Sequence, residues 1–551
     1  MSNRQHQQGV DLTDHSAMGP FLQDALNLLG PDYVIKASEV LRQYEQATFT
    51  TEQKIPAVLL PGNVTEVAKI VRLANDYRIP IYPTSRGRNW GLGSRVPVQS
   101  GQCVIDLQRM NRILDFDAEL GSLTVEPGVT FQQAVDFLKD QHSDFLVSTI
   151  GGPPEASLLA NALERGDGLG PLGDRARFCC IQEAILPTGE CIRTGLNAFD
   201  GSLSRHLSPS GPGPAIEGLF FQSNLAIVTK MSILLWRRPP HFQAFSFFIE
   251  SQDQLIQVNR EIRQLQQLGV VGPTAFSLWN MYRFLSTQMT YPWSESGEKE
   301  TTPEEILQQL PKSIRSCKWV GFVFTYAPTR LIQFSQKRKI KRALKPHAHK
   351  LIAVDPISAF VMRLARKPLR RLFHIDVDTL LTALHDEPVF LGNTTTPTVS
   401  SIYWRKRTPA PASWNPERDR CGISWICSAV PYDGTHIARV TDLVETIALE
   451  HRLEPMCMFF NMNQWYLKTF IVILYDQEIP EEDARAKSCH DRILDQLAQE
   501  GYTPVRLGIQ SMDFAPDDPA YLELIQKLKG TLDPNDILAP GRYDFRRAWQ
   551  N

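Results

Sequence analysis

Long hydrophobic runs are missing from this 551-residue chain. No window holds about 18 uncharged apolar residues, so a membrane-spanning helix is not expected. The polar start, Met1-Ser-Asn-Arg-Gln-His-Gln-Gln8, lacks the apolar core of a secretory signal, and a cytoplasmic protein is the expectation. Cysteine is sparse, with nine residues, and none forms a C-x-x-C pair even though Cys179 and Cys180 are adjacent. That argues against a zinc ribbon and against a disulfide framework. Neither sign of charge dominates: 58 Lys and Arg face 60 Asp and Glu, and the net charge of −2 gives no general pull toward nucleic acid. No internal repeat stands out. A composition of 42 % apolar and 21 % charged residues describes an ordinary globular protein, and the length exceeds what one core usually supports, so two domains are expected.

What is present is a glycine-rich loop, Pro83-Thr-Ser-Arg-Gly-Arg-Asn-Trp-Gly-Leu-Gly-Ser94, after a short apolar run, Ile79-Pro-Ile-Tyr82, that reads as a buried strand. Glycines permit positive φ and let backbone N–H groups come close to an anion. Gly87, Gly91 and Gly93 do this here, while Thr84, Ser85, Arg86, Arg88 and Ser94 add donors and positive charge, so the loop suits a pyrophosphate. Its spacing, G-x-x-x-G-x-G, is neither the G-x-G-x-x-G dinucleotide fingerprint nor a Walker A loop. Strand-like segments follow at Val104–Leu107, Leu114–Asp117, Leu123–Val129, Cys180–Leu186, Glu190–Thr194 and Ile227–Lys230, with helical periodicity over Phe131–Lys139 and Leu158–Arg165. After Trp236-Arg-Arg-Pro-Pro240 the chain opens a new unit. It has a strand at Phe242–Ile249, a helix over Gln252–Leu268, strands at Gly422–Ser428 and Phe470–Tyr475, and a helix over His436–His451 between them, which predicts a sheet backed by helices.

The order of these motifs resembles the flavoprotein oxidoreductases of the vanillyl-alcohol oxidase and p-cresol methylhydroxylase family. Six collinear segments carry the resemblance: Pro56–Val67, Gly87–Gly93, Val125–Thr130, Ala160–Gly166, Gly218–Lys230 and Leu532–Arg542. It implies an α+β fold in which a two-subdomain FAD-binding domain (residues 50–238) follows an N-terminal segment (1–49). A cap or substrate domain (239–500) comes next, and a C-terminal segment (501–551) returns to the FAD domain. It implies FAD as cofactor, held by Thr84, Ser85, Arg86, Gly87, Arg88, Asn89, Trp90, Gly91 and Ser94 of the loop. Ser157, Asn161, Glu164, Gly166, Asp174, Ile227 and Arg542 complete that set, and Glu164 is placed to accept from ribose hydroxyls.

For the chemistry, the resemblance implies hydride transfer from a substrate carbon to flavin N5, with reoxidation by oxygen, a quinone or a cytochrome. Arg506, in Gly501-Tyr-Thr-Pro-Val-Arg-Leu507, aligns with an arginine near the flavin and substrate, and Arg542 with a basic residue beside the cofactor. The family's catalytic aspartate falls on or near Gly152, with Glu155 as the nearby substitute. Of the two phenolate-binding tyrosine positions, one is Leu92 and the other Val505, and Leu169-Gly-Pro-Leu172 stands where relatives are tyrosine-rich. A pocket lined by Leu92, Gly152, Leu169, Tyr403, Ser424 and Val505, without the family's phenolate-binding groups, leaves a buried phenolate poorly compensated, so a bulky or apolar substrate other than a 4-hydroxybenzyl compound is expected. The histidine link to flavin aligns near Ser424 and the tyrosine link near Arg405, with Tyr403 close by; non-covalent FAD is expected.

Two basic runs, Lys337–Lys350 and Arg363–Phe373, read as solvated helix faces or as a docking patch (337–373) for an anionic membrane or an acidic electron-transfer partner. His347 and His349 show no third metal ligand, and no metal is expected. A homodimer stays open. So do a flavin-binding protein without dehydrogenase activity, which the changes at Leu92, Gly152 and Val505 motivate, and a membrane-associated dehydrogenase.

Overall fold

Three sheets position the sequence motifs. The computed structural model describes residues 15–293, 302–310, 312, 314–368, 378, 381–386, 388–394 and 397–545. In the first subdomain, β1 (Val34–Ile35), β2 (Val58–Leu59), β3 (Ile81–Thr84) and β4 (Cys103–Asp106) lie in the order β1-β2-β4-β3, with β2 and β3 parallel to β4. The helix Val64–Tyr77 makes the crossover. Asn63 caps it by accepting from the Glu66 N–H, Val67, Ile70, Val71 and Ala74 form its buried stripe, and Arg78 ends it at φ 53°. The helix His15–Leu29 packs on that layer through Phe21 and Ala25.

The second subdomain is an antiparallel sheet of β5 (Ile113–Asp117), β6 (Ser122–Val125), β8 (Cys179–Ile185), β9 (Cys191–Ile192) and β10 (Ile227–Leu234), in the order β5-β6-β10-β8-β9. A small ribbon pairs β7 (Phe145–Leu146) with β11 (Trp236–Arg237). The strand expected over Leu123–Val129 stops at Val125, because Pro127 and Gly128 turn the chain. A Cβ on Gly128 would sit 2.6 Å from the Gln108 carbonyl, so only glycine allows that approach.

The cap is one antiparallel sheet of eight strands: β12 (His241–Ile249), β13 (Phe276–Asn280), β14 (Trp319–Ala327), β15 (Lys350–Val354), β16 (Cys421–Pro431), β17 (Met456–Asn461), β18 (Tyr466–Asp476) and β19 (Pro504–Arg506). Their order is β15-β12-β14-β13-β17-β18-β16-β19. Helices Gln252–Gln267, Arg330–Leu344, Gly434–Glu450 and Pro480–Gln499 back one face; Leu255, Val258 and Ile262 of the first and Ile437 and Val444 of the third are buried there. The other face looks toward the two subdomains. The chain division expected at residue 500 falls just before β19, which remains the edge of the cap sheet. The return to the first subdomain comes later, where Leu538 bridges Ile81 and the Ile81 N–H donates to the Ile537 carbonyl at 2.7 Å. The fold is thus α+β, with a two-subdomain body and a helix-backed cap.

Candidate active site

Two cavities adjoin where the cap meets the body. The smaller, about 170 Å³, is walled by the loop 82–89, Ser157, Asn161, Glu164, Asn224, Ile227 and Arg542. The loop turns through positive φ at Gly87 (63°), Gly91 (79°) and Gly93 (118°), and a Cβ at Gly87 would strike the Arg95 side chain at 2.1 Å. Arg86, Arg88, Arg506 and Arg542 border this cavity. Arg542 donates through Nη1 to the Tyr82 hydroxyl (2.8 Å) and through Nη2 to Glu164 Oε1 (2.5 Å), and the Tyr543 hydroxyl donates to Glu164 Oε2 at 3.3 Å. Burial pushes the Glu164 carboxyl up, but Arg542, with Arg506 behind it, outweighs this and holds it below its ordinary value. The Ser223 hydroxyl and the Arg506 Nε–H are buried without partners among the described residues. Surplus positive charge, buried donors without acceptors and a loop of left-handed glycines fit a dinucleotide with its pyrophosphate.

The larger cavity, about 350 Å³, has a predominantly apolar lining. Its floor is the inner face of the cap sheet. Register carries one row across five strands: Trp279 opposite Met458, Met458 opposite Phe470, Phe470 opposite Cys427, and Cys427 opposite Arg506. All five line the cavity, and in the neighbouring row so do Phe322, Ser277 and Phe460. The two cavities share Arg88, Asn89, Ala156, Asn161 and Arg506. At that junction Arg506 Nη2 donates to Asn89 Oδ1 at 2.8 Å, and Asn161 Oδ1 accepts from Arg175 Nε at 2.8 Å.

The structure therefore gathers most of the expected residues. Thr84, Ser85, Arg86, Gly87, Arg88, Asn89, Ser94, Ser157, Asn161, Glu164, Ile227 and Arg542 line the smaller cavity, and Trp90, Leu92, Gly152 and Leu169 the larger. Others lie outside both, each for a visible reason. Gly91 spends its N–H on the Thr48 hydroxyl (2.8 Å) and its carbonyl on the Trp425 N–H (3.2 Å), tying loop to cap. The Gly166 N–H donates to the Asn161 carbonyl at 2.8 Å, and a Cβ there would strike the Asn161 side chain. Asp174 pairs with Arg177 at 3.0 Å. Glu155 is exposed. Val505 and Ser424 follow the strand alternation away from the cavity, opposite to Arg506 and Trp425. The Tyr403 hydroxyl donates to Asp419 Oδ2 at 2.6 Å, and burial followed by that carboxylate pushes its pKa up. Arg405 is fully buried on Glu454 at 2.8 Å.

Several residues escaped the sequence reading. Asp167, in the larger cavity, pairs with Lys468 of β18 at 2.6 Å, and burial pushes its carboxyl up against that lysine. Arg175 is 2 % exposed, is held down to about 9 by burial, and orients Asn161. Their only sequence signal was proximity to Gly166-Asp-Gly168 and Gly173-Asp174. His349 was expected to lack further ligands. The fold brings Glu250 and Cys317 to it, with candidate ligand atoms all within 4.8 Å, and Glu250 Oε2 lies 3.0 Å from His349 Nδ1. In the basic patch, Lys337 pairs with Asp355 at 3.0 Å while Leu331, Phe334, Phe360 and Leu364 stand exposed; residues 369–373 lie outside the described residues. Among the described residues no helix is long and apolar enough to cross a membrane.

Residues 55–195 match an FAD binding domain family. The chain is 39 % identical to the 1'-carboxy-chondrochloren decarboxylase of Chondromyces crocatus, over 95 % of this chain and 96 % of that protein. It is 26 % identical to the 4-cresol dehydrogenase (hydroxylating) flavoprotein subunit of Pseudomonas putida, over 94 % and 93 % of the two chains. The fold superposes on the crystal structure of p-cresol methylhydroxylase with a TM-score of 0.81 at 24 % identity, covering 96 % and 97 %.

Proposed function

Because this chain belongs to the vanillyl-alcohol oxidase and p-cresol methylhydroxylase family of FAD-binding oxidoreductases, we propose that it oxidises a bulky, largely apolar organic substrate bound in the larger cavity, with FAD in the smaller one. FAD bound there supplies a two-electron acceptor for a hydride leaving a substrate carbon. The observation that carries this reading is the shared wall of the two cavities, where Arg506, Asn89 and Asn161 face both.

Each residue there has a part. Arg506 brings to the junction a guanidinium whose Nε–H has no partner among the described residues, and its fixed positive charge would favour the reduced form of a cofactor bound beside it. Arg86 and Arg88 offset the pyrophosphate, and Arg542 with Glu164 closes the far end. Phe470, Met458, Phe322 and Trp279 exclude water from the substrate and fix its plane. Leu92 and Gly152 themselves offer a phenolate no side-chain donor, which supports a substrate other than a 4-hydroxybenzyl compound. Tyr403 and Ser424 lie outside both cavities, which supports non-covalent FAD.

A second reading couples hydride removal to decarboxylation. A substrate carboxylate departs as CO2, its bonding pair forms a carbon–carbon double bond, and the neighbouring carbon gives up the hydride. The whole-length likeness to a protein named as a decarboxylase favours it. The electron acceptor is oxygen, a quinone or a cytochrome. Exposed Leu331, Phe334, Phe360 and Leu364 beside the basic helix faces support delivery of electrons at an anionic membrane surface, which salt-dependent vesicle binding tests.

The test is absorption. Purified protein should show oxidised-flavin bands that move to the supernatant on acid precipitation, and anaerobic addition of substrate should bleach them. Trapped labelled CO2 separates the two readings. Protein that takes up no FAD would overturn both.

A further inference from the structure

Arg283 is 1 % exposed and sits in the wall of the larger cavity. Its helix, Met281–Gln288, springs from the end of β13, and Asn280 Oδ1 caps it by accepting from the Arg283 N–H at 3.1 Å. The guanidinium uses one nitrogen for structure: Nη1 donates to Ser286 Oγ (3.0 Å) and Ser401 Oγ (2.8 Å). Those hydroxyls donate onward to the carbonyls of Arg283 and Thr398, so both serve Nη1 as acceptors. The Nε–H is buried with no acceptor, and among the described residues neither Nη2 nor any other part of the group meets a carboxylate. Burial holds the guanidinium down to about 10, so it is still charged at neutral pH. Among the described residues the compensating neighbour is the Trp279 ring, 5.5 Å from Cζ.

We propose that the Nε/Nη2 edge of Arg283 anchors a carboxylate at one end of an elongated, otherwise apolar substrate. That edge presents two parallel N–H groups in the fork that a carboxylate accepts bidentately. A buried cation without a counter-charge destabilises a fold, and a substrate anion supplies what the chain withholds. The rows of the cap sheet give the distance. From Trp279, beneath Arg283, to Arg506, at the cofactor junction, the row crosses four strand spacings, roughly 19 Å at about 4.8 Å each. A carboxylate held so far from the junction is a handle that stays on the product, not the group that reacts. Phe470 and Met458 of that row and Phe460 of the neighbouring one lie between, so the middle of the substrate is apolar and flat. This rests on the larger cavity being the substrate site, and its test is separable from the test of the redox reading.

The experiment titrates the FAD-loaded full chain with 6-phenylhexanoate and with its methyl ester, following binding by calorimetry. The wild type should bind the acid about 10²-fold more tightly than the ester. Arg283→Met should abolish that gap, and the ligand-free variant should melt at a higher temperature because a buried uncompensated charge is gone. Arg283→Lys, a point charge without the fork, should narrow the gap at least tenfold and keeps the test alive if the Met variant does not fold. An equal gap in wild type and variants, or no gap in the wild type, overturns the proposal; so does an Arg283→Met protein that melts lower with its gap intact, which marks an arginine that only packs the cap. Flavin that no compound reduces would count against the oxidoreductase reading alone.

Discussion

Apart from Arg506, the smaller cavity takes its walls from segments between Tyr82 and Val228 and from the tail at Leu538–Arg542, whereas the floor of the larger comes from strands spread between Phe276 and Arg506. Their charges differ as well. Around the smaller cavity Arg542 is answered by the partly buried Glu164 and by the buried Tyr82 and Tyr543. In the larger, Asp167 and Lys468 answer each other, but among the described residues Arg283 meets only hydroxyls and a ring. A site for a constant cofactor can be completed by the chain itself, apart from the few donors the cofactor takes up. A site for one substrate class carries its selectivity in the group the chain leaves unanswered.

The comparison breaks most visibly at Glu164. Glu164→Gln leaves a partly buried Arg542 without its counter-charge and should cost about 1–3 kcal/mol, read by urea unfolding, with FAD affinity falling too. The pH dependence has a definite sign. A carboxyl held below its ordinary value in the fold contributes stability that is present above the ordinary Glu range and is lost as pH falls through the folded value. Wild-type stability should therefore fall on acidification from about pH 5, the region below which the ordinary carboxyl begins to protonate, and the Gln variant should lose that component of the slope. A Gln variant as stable as the wild type would show the pair to be dispensable.

Arg506 sharpens the comparison because it borders both cavities. Arg506→Met should keep FAD but slow anaerobic flavin reduction by about 10²–10³-fold, measured by stopped-flow bleaching. An unchanged reduction rate would remove Arg506 from the chemistry. Gly91→Ala tests the joint between loop and cap. Its φ is 79°, and the added Cβ would lie 2.0 Å from Trp425 Cδ1, so we expect a loss of about 1–3 kcal/mol in melting experiments, with KM raised through the displaced Trp425. The smallest effect belongs to Glu155. Exposed and outside both cavities, Glu155→Gln should change stability by less than about 0.5 kcal/mol and flavin reduction by less than about twofold. A larger rate effect would return it to the reaction.

Legibility followed the same division. The loop Thr84–Ser94 was readable because local spacing dictates what it does, glycines for positive φ, hydroxyls and arginines for an anion, whereas the run around Ser157–Glu164 was legible only through the family resemblance. Gly91 shows the limit, since its backbone groups went to Thr48, Trp425 and Gln510, partners that nothing local announces. In the cap, the strands at Phe242–Ile249, Gly422–Ser428 and Phe470–Tyr475 were legible from their apolar runs. β13 and β17 were not anticipated, although they carry Trp279 and Met458. Val505 and Arg506 are adjacent in sequence, yet only the pleat of β19 sends one to the cavity and the other away.

The sequence by itself determined the cofactor loop and the strand–helix pattern of an α+β protein, because those depend on periodicity, turn residues and motifs that act over a few residues; the order of body, cap and returning tail came from the resemblance to a known family. Tertiary structure alone decided the row from Trp279 to Arg506, the pairing of Asp167 with Lys468 and the isolation of Arg283. Each depends on strand register between segments far apart in the chain, and a one-residue slip would turn the same side chains to the opposite face.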